Sequence, residues 1–291
     1  MSLSVHRRQK IAEDVAESLL EAGQAEEVWL EGALACGLAH ATSDVDLRVI
    51  VSGASERWES KIVDGVRVDF QASSRNEVER LRALLTAFDV RRDHLDTFRR
   101  VRGARGELLR LRTALAYDGG AWHPVLTEDE CAGYRRWALA DQAEVAASLA
   151  EDLVGLLLDR LTAPIQVTVQ KFELCLLALH CAASGQPVLG DKWLPLVATL
   201  SETSLPSPAL APSTRDWAWF RPAQRILTEA LLSCWPVHCA PGTPPDLGDP
   251  FAGWLPQRYA DGWFLRRGDV HVPVTEPALL GWCAAIDAAD S

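Results

Sequence analysis

Two aspartates, Asp44 and Asp46, head the run Asp44-Val45-Asp46-Leu47-Arg48-Val49-Ile50-Val51. The alternation is that of a β-strand, in which residues two apart share a face. Val45, Leu47 and Val49 then line one face, and Asp44, Asp46 and Arg48 line the other. Such a strand needs a sheet with one packed side and one side that accepts charge. Two carboxylates held side by side repel, which is costly unless a cation lies between them. Magnesium is the hard, oxygen-seeking ion that such a pair usually holds, and it keeps positions open for phosphate oxygens. The feature therefore points to phosphate chemistry.

Around this strand the chain reads as mixed α and β. Ile11, Val15, Leu19 and Leu20 recur at helical spacing over residues 6–22, and Gly23 can end that helix. Val28-Trp29-Leu30 is a short strand that runs into a small-residue segment, Gly32 to Ala41, suited to a turn and a short helix. Val66, Val68 and Phe70 alternate with Arg67 and Asp69, which predicts a third strand. Ser52-Gly53 and Asp64-Gly65 are turn signals. Helices are expected over 76–88 and 95–111, and an edge strand over Ala114 to Tyr117. From 128 to 184 the pattern is helical, broken at Ala163-Pro164. The expected architecture is an α+β domain with a small mixed sheet over 1–125, followed by an α-helical domain over 126–291. Loops are expected over 201–213 and 236–250, and an irregular tail around Trp254, Trp263 and Trp282.

Composition narrows the function. A net charge of −11 argues against a nucleic-acid partner, since neutralising phosphates needs a basic surface. It is compatible with a small cationic acceptor, although an ordinary solvated surface is the simpler explanation. The seven cysteines include no paired CxxC, which fits reduced thiols in a cytoplasmic setting. Cys234, His238 and Cys239 are a weak zinc set. The N-terminus does not read as a signal peptide, and no apolar run approaches the ~20 residues that span a bilayer, so no membrane partner is expected. Only four lysines, Lys10, Lys61, Lys171 and Lys192, occur among 29 basic residues, so each is worth weighing as a lysine.

The segment before the aspartate pair adds weight. A loop that enters a helix presents free backbone N–H groups and a positive dipole end, and Gly32 would let a phosphate approach the backbone closely. Asp69 lies on the polar face of the following strand, and cross-strand neighbours sit about 5 Å apart. Asp44 and Asp46 would hold a nucleotide-bound magnesium. Asp69 would hold a second ion or accept the proton of an attacking hydroxyl.

The run from Gly32 to Leu47, ending Ser43-Asp44-Val45-Asp46-Leu47, together with Asp69 in Val66-Arg67-Val68-Asp69-Phe70, resembles the signature of the DNA polymerase β-like nucleotidyltransferase superfamily. Within it the chain is most similar to the small bacterial antibiotic nucleotidyltransferases that modify aminoglycosides or lincosamides. Leu115-Ala116-Tyr117-Asp118-Gly119-Gly120 resembles the last strand and turn of their catalytic domain, and Gly190-Asp191-Lys192-Trp193-Leu194-Pro195 their lysine-bearing segment. The resemblance implies transfer of a nucleoside monophosphate, AMP from ATP or its counterpart from another NTP, to a hydroxyl of a small molecule, with release of pyrophosphate. It implies Mg²⁺ on Asp44, Asp46 and Asp69, and nucleotide contacts from Gly32, Ala33, Ser43 and Lys192. The acceptor would lie between the two domains, with Asp69, Glu144 or Glu173 as candidate general base. The chain departs from the pattern at Ala33, where the family has serine, and so lacks a hydrogen bond to a charged group worth about 1.5–3 kcal/mol. Two alternatives stand beside this reading: a catalytically impaired nucleotide-binding or interaction protein, and a transferase that modifies a protein.

Overall fold

The computed structural model describes residues 3–53, 57–88, 90–91, 96–200, 212–213, 217–248 and 253–288. It divides into two compact units, Met1–Ala87 with Arg100–Tyr134, and Phe88–Arg99 with Arg135–Ser291.

The first unit follows the order α1 (Leu3–Glu21), β1 (Glu27–Glu31), α2 (Gly32–Ala35), β2 (Val45–Val51), β3 (Arg57–Val63), β4 (Val66–Ser74) and α3 (Arg75–Thr86). It resumes within α4 (Asp96–Gly103) and continues through α5 (Arg105–Thr113), β5 (Leu115–Tyr117) and β6 (Trp122–Pro124). Its sheet has the order β3-β4-β2-β1-β5-β6. β2 and β4 run parallel, and the other neighbours pair antiparallel.

The alternation read in the sequence sets the two faces. Val28, Leu30, Val45, Leu47, Val66 and Val68 are buried against Ile11, Ala12 and Ala16 of α1. The opposite face carries Glu31, Asp46, Arg48, Asp69 and Gln71. The Asp64-Gly65 signal marks a two-residue hairpin between β3 and β4, with φ of 48° and 73° and Val63 opposite Val66. Positive φ at both central positions is the geometry such hairpins favour. α3 opens on a capping box, in which Ser74 accepts from the backbone of Glu77 and Glu77 accepts from the backbone of Ser74.

The second unit contains most of α6 (Glu128–Leu158), then α7 (Thr162–Ala183), α8 (Leu194–Leu200), α9 (Arg221–Cys234), β7 (Leu255–Tyr259), β8 (Gly262–Arg267), β9 (Val270–Val274) and α10 (Glu276–Ala288). Its core joins Leu139, Leu153, Phe172, Leu176, Phe220 and Leu227 to Trp254, Trp263 and Trp282. This corrects the expectation of a purely helical domain with an irregular tail. The last segment forms a three-stranded antiparallel sheet, β7-β8-β9, and a helix. Pro256 and Pro273 disguise the strands in the sequence, and both sit on the edge strands, where proline is tolerated. Proline also stands within the first turn of α7 rather than between helices, and the break falls at 159–161.

Within the loop expected over 236–250, Gly242 donates to the carbonyl of Pro277 at 2.7 Å. Gly281 lies so close beneath it that a Cβ there would stand 2.1 Å from the Gly242 oxygen. The segment is therefore docked on α10. Residues 249–250 of that loop, and most of the loop expected over 201–213, lie outside the described residues. Among the described residues no helix is long and apolar enough to cross a membrane.

Candidate functional site

Register brings the acids together. Glu31 of β1 stands opposite Asp46 of β2, Asp46 opposite Asp69 of β4, and Asp69 opposite Ser60 of β3. All four lie on the polar face, so strand pairing alone makes a row of three carboxylates and a hydroxyl across the sheet. Asp44, one residue before β2, completes the cluster. One carboxylate oxygen from each of Asp44, Asp46 and Asp69 lies within 4.8 Å of the others. Asp44 is exposed, Asp46 half-buried and Asp69 buried. Among the described residues this is the one grouping of three or more acidic, histidine or cysteine side chains close enough to share a metal ion, and Cys234, His238 and Cys239 are not such a group.

The three carboxylates are held differently. Asp69 accepts from Arg67 Nε at 2.8 Å and Ser60 Oγ at 2.6 Å on one oxygen, and from a second Arg67 nitrogen at 2.7 Å on the other. Burial pushes its carboxyl up, but the bonds from Arg67 and Ser60 outweigh that and hold it below the usual aspartate range. Among the described residues no hydrogen-bond donor reaches the carboxylate of Asp44 or Asp46. Burial raises the Asp46 carboxyl above the aspartate range, and the neighbouring Asp44 charge adds to the effect. The folded state therefore takes up a proton at Asp46 that the unfolded chain has already lost. This contribution to stability is present at acid pH and is lost as pH rises through the raised value. Without divalent cations, Asp46→Asn is accordingly expected to melt higher than wild type at pH 7 and to lose that advantage at pH 4, as followed by thermal denaturation. An unchanged or lower melting temperature at pH 7 would contradict the arrangement.

Gly32 explains why glycine precedes the pair. Its φ is +67°, and a Cβ there would lie 2.1 Å from Oδ2 of Asp46. Both the backbone conformation and the close approach of the carboxylate require glycine. Ala33 is half-buried in α2, a single turn of four residues. Ser43 shapes the loop ahead of Asp44. Its Oγ accepts from the backbone N–H of His40 at 2.9 Å, and its carbonyl accepts from Nε of the buried Arg8 of α1. Lys192 lies in the second unit, exposed in a 3₁₀ turn, Asp191–Trp193, with Nζ 5.1 Å from the ring centre of Trp193. Glu144 of α6 is engaged inside the same unit, accepting from Tyr259 Oη at 2.7 Å and from Arg266 at 2.9 Å. Those bonds make it a tie between α6 and the β7-β8-β9 sheet. Glu173 is half-buried on α7.

Sequence reasoning missed the ionic floor of the site. Arg48 is 4% exposed at its side chain and Glu31 1%. Arg48 donates to Glu31, to Ser73 at 2.8 Å, to Gln71 at 3.1 Å and to Glu107 of α5 at 2.7 Å. Arg110, one turn further along α5, reaches the other oxygen of Glu31 at 3.3 Å. Burial works against the charge on Arg48, and Glu31 and Glu107 more than offset it. One guanidinium thus ties β1, β2, β4 and α5 together beside the acid row. The signal was present in the alternation, since Glu31 and Arg48 fall on the same face as Asp46.

No protein-family model matches the chain, and no curated protein matches it.

Proposed function

We propose that this chain is a nucleotidyltransferase that moves a nucleoside monophosphate, AMP from ATP in the first instance, to a hydroxyl of a small molecule and releases pyrophosphate. The observation that carries the reading is the convergence of Asp44, Asp46 and Asp69 within 4.8 Å on one sheet face. The donor set fits magnesium, which is hard and takes carboxylate oxygens while leaving positions for phosphate. Asp44 and Asp46 would hold the ion, with Asp69 completing its ligands. Bound there, it would supply positive charge to the phosphoryl group as charge develops in the transition state.

The chain's own residues do the rest. Gly32 leaves the place of a Cβ to the Asp46 carboxylate, and the bare backbone there would let a phosphate approach closely. Ser43 and Arg8 hold the loop that presents Asp44. Ser60 anchors Asp69, and the bonds from Ser60 and Arg67 keep it ionised, as a metal ligand must be. Gly32 and Ala33 are assigned to the triphosphate and Lys192 to its charge by the sequence resemblance. α2 is only one turn long, so the phosphate contacts would come from single N–H groups rather than from a helix dipole. Hydroxylated antibiotics, aminoglycosides among them, and other natural products are the acceptor class. The absence of the family's serine hydroxyl at Ala33 favours the alternative of an impaired nucleotide-binding protein, and the same assay separates the two.

The test is pyrophosphate release with Mg²⁺, each NTP and a panel of small-molecule alcohols, alongside calorimetry of NTP binding. Turnover that depends on acceptor, nucleotide and Mg²⁺ together is expected. Nucleotide binding without turnover would turn the reading to the impaired binder, labelling of protein bands in a lysate would turn it to a protein-modifying transferase, and neither binding nor turnover would overturn it.

A further inference from the structure

Arg67 sits at the second position of β4, beside the β3–β4 hairpin, and its guanidinium engages both oxygens of Asp69, at 2.8 and 2.7 Å. Asp69 is thus the one carboxylate of the three with a hydrogen-bonded cation, since among the described residues none is hydrogen-bonded to Asp44 or Asp46. We propose that Arg67 is an internal competitor for the divalent cation: its guanidinium holds Asp69 in place of the ion, and the ion gains Asp69 as a ligand only when Arg67 swings away. This rests on the cation-site reading above and adds a latch to it.

Three features make the exchange feasible. The Arg67 side chain is 59% exposed, so a released guanidinium enters water at little cost, and an ion pair with one exposed partner is weak. Ser60 Oγ donates to Asp69 at 2.6 Å from the neighbouring strand, an anchor that does not depend on Arg67 and keeps the carboxylate opposite Asp46. A divalent ion brings twice the charge of the guanidinium to a cluster of three carboxylates, so Coulomb attraction favours the exchange once the ion is bound at Asp44 and Asp46. Linkage then makes the effect reciprocal. Any anion that draws Arg67 off Asp69, a phosphate group above all, raises cation affinity by the same factor by which the cation raises affinity for the anion.

The test is a Mn²⁺ titration of the full chain followed by electron paramagnetic resonance, for wild type, Arg67→Ala, Arg67→Lys and Asp44→Asn. Circular dichroism confirms that each variant is folded. Arg67→Ala is expected to bind Mn²⁺ about tenfold more tightly than wild type. Arg67→Lys, which offers a point charge instead of a two-pronged fork, should fall between them. Asp44→Asn should abolish binding in the same range, which identifies the ion observed as the one at this site. Equal Mn²⁺ affinity in wild type and Arg67→Ala would overturn the latch while leaving the cation site standing. Weaker binding in Arg67→Ala would also overturn it and make Arg67 a residue that orients Asp69 for the metal. No Mn²⁺ binding by wild type and Arg67→Ala alike would remove the cation site itself, and the latch with it.

Discussion

Replacing Arg48 with methionine is expected to cost about 3–5 kcal/mol of stability, the usual result of removing one partner from a buried ion pair. Arg48 supplies donors to Glu31, Glu107, Gln71 and Ser73, and Glu31 is almost wholly shielded from water. Methionine fills much of the volume but supplies no donor, so Glu31 keeps only its longer contact with Arg110. A buried charge left so poorly compensated is the costly outcome, more than the loss of attraction itself. Equilibrium denaturation in urea would measure it. The double variant Arg48→Met/Glu31→Leu removes both charges and should recover part of the loss, which gives a coupling energy well outside additivity. A cost below about 1 kcal/mol for the single variant would show that the network is not load-sharing.

The second large effect is on chemistry. Asp44→Asn and Asp46→Asn are each expected to lower the rate of pyrophosphate release by about 10²–10³-fold or more, because each removes charge where the transition state meets the metal. An amide oxygen is a poorer ligand for a hard cation than a carboxylate. Asp46→Asn should do so while raising the melting temperature of the metal-free protein, because it relieves the burial of a charge and its repulsion by Asp44. A variant that is more stable and less active separates a functional cost from a folding defect. If both variants turned over at wild-type rates, the aspartates would have no place in the reaction.

Much of the first unit could be read from its residues. The alternation in β2 and β4 predicts which side of the sheet is apolar, and Asp64-Gly65 predicts the turn before β4. β3 was hidden because Glu59, Ser60 and Lys61 interrupt the apolar pattern of a strand at the sheet edge. Its contribution to the site, Ser60, was hidden with it. Glu31 and Arg48 are charged, and a charged residue reads as solvated unless its partner is known. That partnership depends on β1–β2 pairing and on α5 folding over the sheet, neither of which is a local property. The β7-β8-β9 sheet was missed for a related reason. Its strands are five or six residues long, two contain proline, and their burial depends on helices far away in sequence. The acid row shows the opposite case. The spacing of Asp44 and Asp46 is local, but the place of Asp69 beside them follows from parallel register, Asp46 against Asp69, which no local pattern specifies.

The most direct test of the account is a crystal structure with Mn²⁺ and a nonhydrolysable ATP analogue, using the anomalous signal of manganese to place the ion. A manganese peak beside the carboxylates of Asp44 and Asp46 is expected, with a phosphate oxygen among its ligands. Full nucleotide occupancy with no manganese at those two aspartates, or with the ion bound elsewhere on the chain, would contradict it.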